Sequence, residues 1–113
     1  MQRDLLLLSE IIDATERIIE LVAGVGPASA DTDRDRVDAL LWNFTVLGEA
    51  SNQVSAEVKA NHPDVPWADP VRLRNRIVHG YWSVDLDVLV ATARDDLPAM
   101  LLSVLKIRDS LDR

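Results

Sequence analysis

Val37-Asp38-Ala39-Leu40-Leu41-Trp42-Asn43-Phe44-Thr45-Val46-Leu47-Gly48-Glu49-Ala50-Ser51, residues 37–51, decides the class of the fold. Val37, Leu40, Phe44, Leu47 and Ser51 recur at intervals of three and four, the period of one helical face. Val54 and Val58 continue the series, so one helix is predicted from about Arg34 to Ala60, ending at Asn61-His62-Pro63. Trp42, Val46, Glu49 and Gln53 form a second stripe, apolar at one end and polar at the other. A helix with two such faces meets two neighbours.

Upstream, Leu5, Leu8, Ile12, Thr15, Ile19 and Val22 keep the same spacing, widened by Ile11 and Ile18, and predict a helix over about residues 3–23. Gly24, Gly26 and Pro27 stop it. Residues 24–33 then read as a loop, with Asp31, Thr32 and Asp33 as candidate N-caps for the next helix. Downstream, Trp67 reads as a hydrophobic anchor after a turn at 61–66. A short helix follows from about Trp67 or Pro70 to His79, with Asp69 as N-cap and Pro70 at the first helical position. The last pattern starts near Ser83 or Asp85 and carries Leu86, Val90, Ala93, Leu97, Met100, Val104, Ile107 and Leu111. Pro98 lies inside it and predicts a kink between Arg94 and Pro98 rather than two helices, because the stripe stays in phase. The expected fold is all-α: an antiparallel up-and-down bundle of four to five helices, in a single domain over residues 1–113.

A chain of 113 residues with 48% hydrophobic and 27% charged residues is globular rather than disordered. It has no cysteine, which excludes disulfides and thiolate chemistry. The apolar run Leu5–Leu8 is too short for a signal-peptide core or a membrane span, so the chain reads as cytoplasmic, with no membrane partner. Its net charge of −7 argues against a broad nucleic-acid-binding surface, since non-specific affinity comes from neutralised phosphates. Any such contact is local. Arg72, Arg74 and Arg76 offer the place, because residues 70–84 hold three Arg and no carboxylate.

The same segment, Arg74-Asn75-Arg76-Ile77-Val78-His79-Gly80-Tyr81, has the pattern R-x-x-x-x-H-x-Y. It contains one of the two His of the chain and its single Tyr. Arg grips phosphate oxygens and His moves protons near neutral pH, a set suited to phosphodiesters. Five residues apart, Arg74 and His79 point about 140° from each other on an ideal helix. Either the helix ends at His79-Gly80 and the imidazole turns back, or the site is completed across a two-fold axis, or both. Two distant His and no Cys give no metal-ligand pattern. His62, beside Pro63, reads as solvated. Trp42, Trp67 and Trp82 read as core or interface anchors, and Glu49 as a capping or interface partner.

The segment resembles the signature of the HEPN superfamily, and specifically of the HepT-like toxins. Leu47-Gly48-Glu49-Ala50 resembles the family's Gly-Glu-Ala segment. Pro66-Trp67, Leu73 to Trp82, Val84-Asp85 and Asp96-Leu97-Pro98 follow in the family's order. Pro70 departs from it, standing where many relatives have ordinary helix formers, and is expected to shift only the helix start.

The resemblance implies a helical bundle that forms homodimers, and a metal-independent endoribonuclease toxin of a type VII toxin–antitoxin pair. Arg74 and His79 are then catalytic, with Asn75 and Arg76 in support and Arg72 and Arg76 forming an RNA-binding rim. It further implies a cognate nucleotidyltransferase antitoxin of the minimal (MNT) type that transfers AMP to Tyr81. ATP would be used by that partner, and this chain would need no cofactor. Two other readings stay open at this point: a non-catalytic HEPN module that binds a nucleotidyltransferase and nucleotide or RNA, and a purely structural helical dimer.

Overall fold

The computed structural model describes residues 2–24 and 33–112, which form six α-helices and one 3₁₀ turn, with no strand among them. They are α1 (Gln2–Val22), α2 (Arg34–Gln53), α3 (Ala56–Asn61), α4 (Ala68–Gly80), the 3₁₀ turn Tyr81–Ser83, α5 (Leu86–Asp95) and α6 (Leu97–Leu111). Most of the first stripe buries as its spacing requires: Leu8, Ile11, Ile12, Thr15, Ile18 and Val22 are inside, while Leu5 and Ile19 are half-buried. Gly24 follows at φ 72°, a left-handed position that suits glycine after a helix C-terminus. Of the expected caps for α2, Asp33 serves: its side chain accepts from the Arg36 N–H at 3.1 Å. Asp31 and Thr32 lie outside the described residues.

α1 is the central helix. It packs along α2 and α6 and touches α5. Its start meets the end of α2, where Arg3 donates to Gln53 at 2.6 Å, so the two run antiparallel. At the other end of α1, the Val22 carbonyl accepts from Arg94 of α5 at 3.0 Å, which satisfies one orphan carbonyl of the helix terminus. α4 packs on α2. The core runs through all these elements: Phe44, Leu8, Ile11, Ile18, Leu40, Leu47, Leu89, Val90 and Val104 are sealed from solvent. Trp67 is the buried anchor its position suggests, and its indole donates to the His62 carbonyl at 3.0 Å. His62 is half-buried rather than solvated, as the C-cap residue of α3.

The long second helix is cut in two. Val54 turns extended (φ −56°, ψ 139°), and Ser55 caps a new helix by accepting from the Val58 N–H. The cause comes from α1. Both carboxylate oxygens of Asp4 are engaged there, one accepting from the Ser55 N–H at 2.9 Å and the other from the Ser55 hydroxyl at 2.8 Å. The apolar stripe survives the break, with Val54 and Val58 both buried.

α4 begins at Ala68, between the two expected starts, with Trp67 as its capping residue and no side-chain cap. Asp69 is therefore a first-turn acid that pairs with Arg72, not the cap. Pro70 sits at the third helical position, where its missing N–H has no intrahelical partner to lose.

Where one helix kinked between Arg94 and Pro98 is expected, Asp96 divides the segment into two helices, α5 and α6. Asp96 itself stays right-handed helical. Its N–H bonds the Thr92 carbonyl, and its own carbonyl accepts from Met100. Pro98 thus becomes the second residue of α6, where no donor is needed, and the stripe passes the break in phase: Ala93, Leu97, Met100, Val104 and Ile107 are all buried. No described helix is long and apolar enough to cross a membrane.

Asp4 is a buried carboxylate, 7% exposed. Burial pushes its pKa up, but the Ser55 N–H and hydroxyl, with the nearby Arg3, more than offset this and hold it below the ordinary 3.8. A depressed carboxylate stabilises the fold above its unfolded pKa, and the contribution is lost as pH falls through the lower folded value. Asp4→Ala should therefore destabilise the chain by about 1–3 kcal/mol at pH 7, since it strands the Ser55 donors. Urea unfolding of wild type and variant at pH 7 and again below pH 3.8 should show the gap narrowing in acid.

Candidate functional site

The site is built where α4 crosses α2, and Gly48 lets it form. A Cβ on Gly48 would stand 2.2 Å from the Arg74 Cβ and 2.5 Å from the Pro70 carbonyl oxygen, closer than atoms can approach. Only a residue without a side chain allows the two helices this contact. The approach carries Arg74 onto the next residue of α2. Its guanidinium makes an ion pair with Glu49 at 3.0 Å and donates to the Asn75 side-chain oxygen at 2.8 Å. Glu49 in turn accepts from Gln53 at 2.8 Å, and Gln53 accepts from Arg3. A polar chain thus runs from the start of α1 to the motif.

Glu49 is the residue whose role the sequence left open. It is an inter-helix partner of Arg74, with its side chain 44% exposed against 30% for the arginine. Exposed to that degree, the pair contributes modestly to stability. Its consequence is geometric, because it fixes where the guanidinium points. The Arg74 Nε is buried with no partner, so the outer nitrogens carry the anchoring.

α4 stays helical through His79 and ends at Gly80. The imidazole does not turn back on a broken helix. It stands exposed on a different face of α4 from the half-buried Arg74. The expected pair is therefore not assembled on one face of one chain. Around His79 the surface is apolar: Val78 is 50% exposed, Tyr81 62% and Trp82 78%. The Tyr81 and Trp82 rings meet edge to face at 5.2 Å, and the Ser83 hydroxyl closes the turn by donating to the Gly80 carbonyl. Trp82 and Trp42 are surface rather than core residues in this chain; Trp42 is 66% exposed beside a groove between α1 and α2.

The basic stretch is not free of carboxylates in space. Asp69 takes Arg72 and Glu49 takes Arg74. Among the described residues, Arg76 is the arginine of the three with no ion pair. Gly48 and the Glu49–Arg74 bond were missed in the sequence. The one available signal was the Gly-Glu pair in mid-helix, since an interior glycine weakens a helix unless a neighbour needs the space.

Comparison with known proteins places these residues in context. The family described as ribonuclease HepT-like matches residues 11–107. A probable ribonuclease HepT of Thermococcus cleftensis is 30% identical over 101 residues, covering 89% of this chain and 92% of that protein. A candidate RNase of Methanocaldococcus jannaschii is 25% identical over 91 residues, covering 80% of this chain and 84% of that protein. Another from Caldanaerobacter subterraneus subsp. tengcongensis is 25% identical over 100 residues, covering 88% and 89%. No solved structure matches the chain significantly.

Gly48→Ala should force α4 away from α2 at a backbone contact, at a cost of about 1–3 kcal/mol. Chemical denaturation measures the loss. An unchanged midpoint would mean that the close approach is not needed.

Proposed function

The chain belongs to the HepT-like ribonuclease family, and we propose that it is a metal-independent endoribonuclease whose site pairs Arg74 of one protomer with His79 of its two-fold mate. One observation carries this reading: Arg74 is held by Glu49 and Asn75 on one face of an unbroken α4, while His79 stands exposed on another. The exposed Val78 and Trp82 beside His79 form the kind of apolar patch that a partner surface covers.

In the proposed reaction the ribose 2′-oxygen attacks the adjacent phosphorus, its proton passing to a His79 imidazole. The 5′-oxygen leaves and takes a proton from water. The products are a 2′,3′-cyclic phosphate and a free 5′-hydroxyl. Arg74 stabilises the charge that develops on the phosphorane oxygens, a role that rewards a guanidinium fixed before the substrate arrives. Asn75 steadies that guanidinium, and Arg72 and Arg76 form the rim that receives the strand.

We further propose the toxin role, with a nucleotidyltransferase antitoxin adding AMP to Tyr81. The exposure of the phenol, 62%, leaves it open to a modifying enzyme. A nucleotide there would place negative charge and bulk two residues from His79, against the incoming phosphate.

Wild-type protein incubated with RNA in chelator should cleave it, and Arg74→Ala and His79→Ala should each lose at least about 100-fold. Abundant cleavage by His79→Ala would remove the central claim. Mixing the two inactive proteins under subunit exchange should restore up to about a quarter of wild-type activity, because half the dimers regain one intact site. No recovery from verified mixed dimers would refute the pairing of Arg74 from one chain with His79 from the other. Mass measurement after incubation with the partner and ATP tests the switch: the added AMP should be absent from Tyr81→Phe.

A further inference from the structure

A cavity of about 450 Å³ opens on the side of α4 away from Arg74, bounded by α2 and the junction of α5 and α6. Its wall is apolar, with Phe44, Leu73, Leu97 and Met100 among the lining residues, and its lip carries Arg72, Arg76 and Asp96. We propose that this cavity is a nucleobase subsite for the nucleotide next to the cleaved bond, and that it takes a base bearing an exocyclic amino group. The proposal rests on the ribonuclease reading and adds a specificity pocket to it.

The volume lies in the range of small-ligand sites, and an apolar wall suits the two faces of a flat ring. The lip supplies what a nucleotide has at its two ends. Arg76 has no ion pair among the described residues, whereas Arg72 is tied to Asp69, so Arg76 is the lip cation available to a phosphate. Arg76 and His79 stand three residues apart on α4, about 60° around the helix and about 4.5 Å along it. A phosphate held by Arg76 is thus beside the imidazole, and the base attached to it is at the mouth of the cavity.

Asp96 is the opposite end of the recognition. It interrupts α5 and α6, is exposed, and has no ion pair among the described residues. A carboxylate at that place accepts from the amino group of cytosine, adenine or guanine and repels the carbonyl edge of uracil. The Thr92 hydroxyl, also at the lining, gives its proton to the Val88 carbonyl at 2.8 Å and keeps only a neutral acceptor. Asp69, the other carboxylate of the lining, is paired with Arg72, so Asp96 is the charged acceptor without an ion pair among the described residues and the discriminating group.

The test uses oligoribonucleotides with one cleavable linkage, the other sugars being 2′-deoxy, and with each base in turn on either side of it. Wild type should cleave amino-bearing bases over uracil by about tenfold in kcat/KM at one flanking position. Asp96→Asn should bring that ratio close to unity. Thr92→Phe, which fills the mouth, should abolish the preference as well. A wild type that cleaves with no base preference, or a preference untouched by both variants, overturns the subsite while leaving the ribonuclease reading in place. If wild type cleaves no RNA, that reading falls, and the cavity is tested by titrating CMP and UMP into ¹⁵N-labelled protein. Shifts of the Thr92, Leu97 and Met100 amides with CMP and not with UMP would uphold the site. Absence of shifts there, or equal shifts with both, overturns it, including the case in which the cavity receives an apolar side chain of a protein partner.

Discussion

The approach of α4 to α2 over Gly48 is the contact on which the rest of the site depends. With no side chain at that position, the Arg74 Cβ and the Pro70 carbonyl can come against the backbone of α2. Everything polar then follows from register. Glu49 is the next residue of α2, so it meets the Arg74 guanidinium; Asn75 is the next residue of α4, so it holds the same group from the other side. Once Arg74 faces α2, helical geometry turns Arg72 and Arg76 to the opposite side and sends His79 about 140° away. One missing methyl group therefore fixes the directions of three arginines and an imidazole.

The carboxylates of this acidic chain are arranged with the same economy. A net charge of −7 weakens every non-specific approach of a phosphate backbone. Within that field, Glu49 and Asp69 restrain two of the three arginines, and Arg76 is left with its charge uncommitted among the described residues. Of the three, the arginine without an ion pair thus stands one helical turn from His79. Such an arrangement favours a few directed contacts with a strand over adhesion to any nucleic acid.

Much of the fold is legible in the sequence because helical burial is a local signal. Thr15, Leu40, Phe44, Leu47, Ser51, Val90, Met100 and Val104 are inside, as their three-four spacing requires. Two of the misses share one cause, which is distance along the chain. The break at Val54-Ser55 depends on Asp4, 51 residues away, whose carboxylate captures both donors of Ser55. The local pattern there is uninterrupted, so periodicity alone reads through it. The Glu49–Arg74 bond likewise joins two segments that each look complete. The cap of α4 differs for a local reason: Asp69-Pro70 is a good cap signal, but Trp67, anchored by the His62 carbonyl, takes the capping position earlier. The motif's Arg, His and Tyr were visible as chemistry, and their separation on the helix was calculable. Which of them faces a neighbour was not, because only the packing of α4 on α2 decides it.

That packing also bears on how one phosphate can meet both Arg74 and His79. Within a single chain the meeting needs either the last turn of α4 unwound or Arg74 withdrawn from Glu49. Unwinding would forfeit the buried Ile77, which is 6% exposed, and the Ser83 closure of the following turn. Withdrawal would leave Glu49 without its cation and would free the guanidinium that the chemistry needs fixed. A second protomer avoids both costs. In the proposed dimer it would bring its own His79 as a rigid part of its own α4, and the same association would remove the exposed Val78 and Trp82 from water. In the proposed dimer the regular helix and the exposed apolar residues at its end are two sides of one arrangement: α4 would stay intact because the missing half of the site would come from the second protomer.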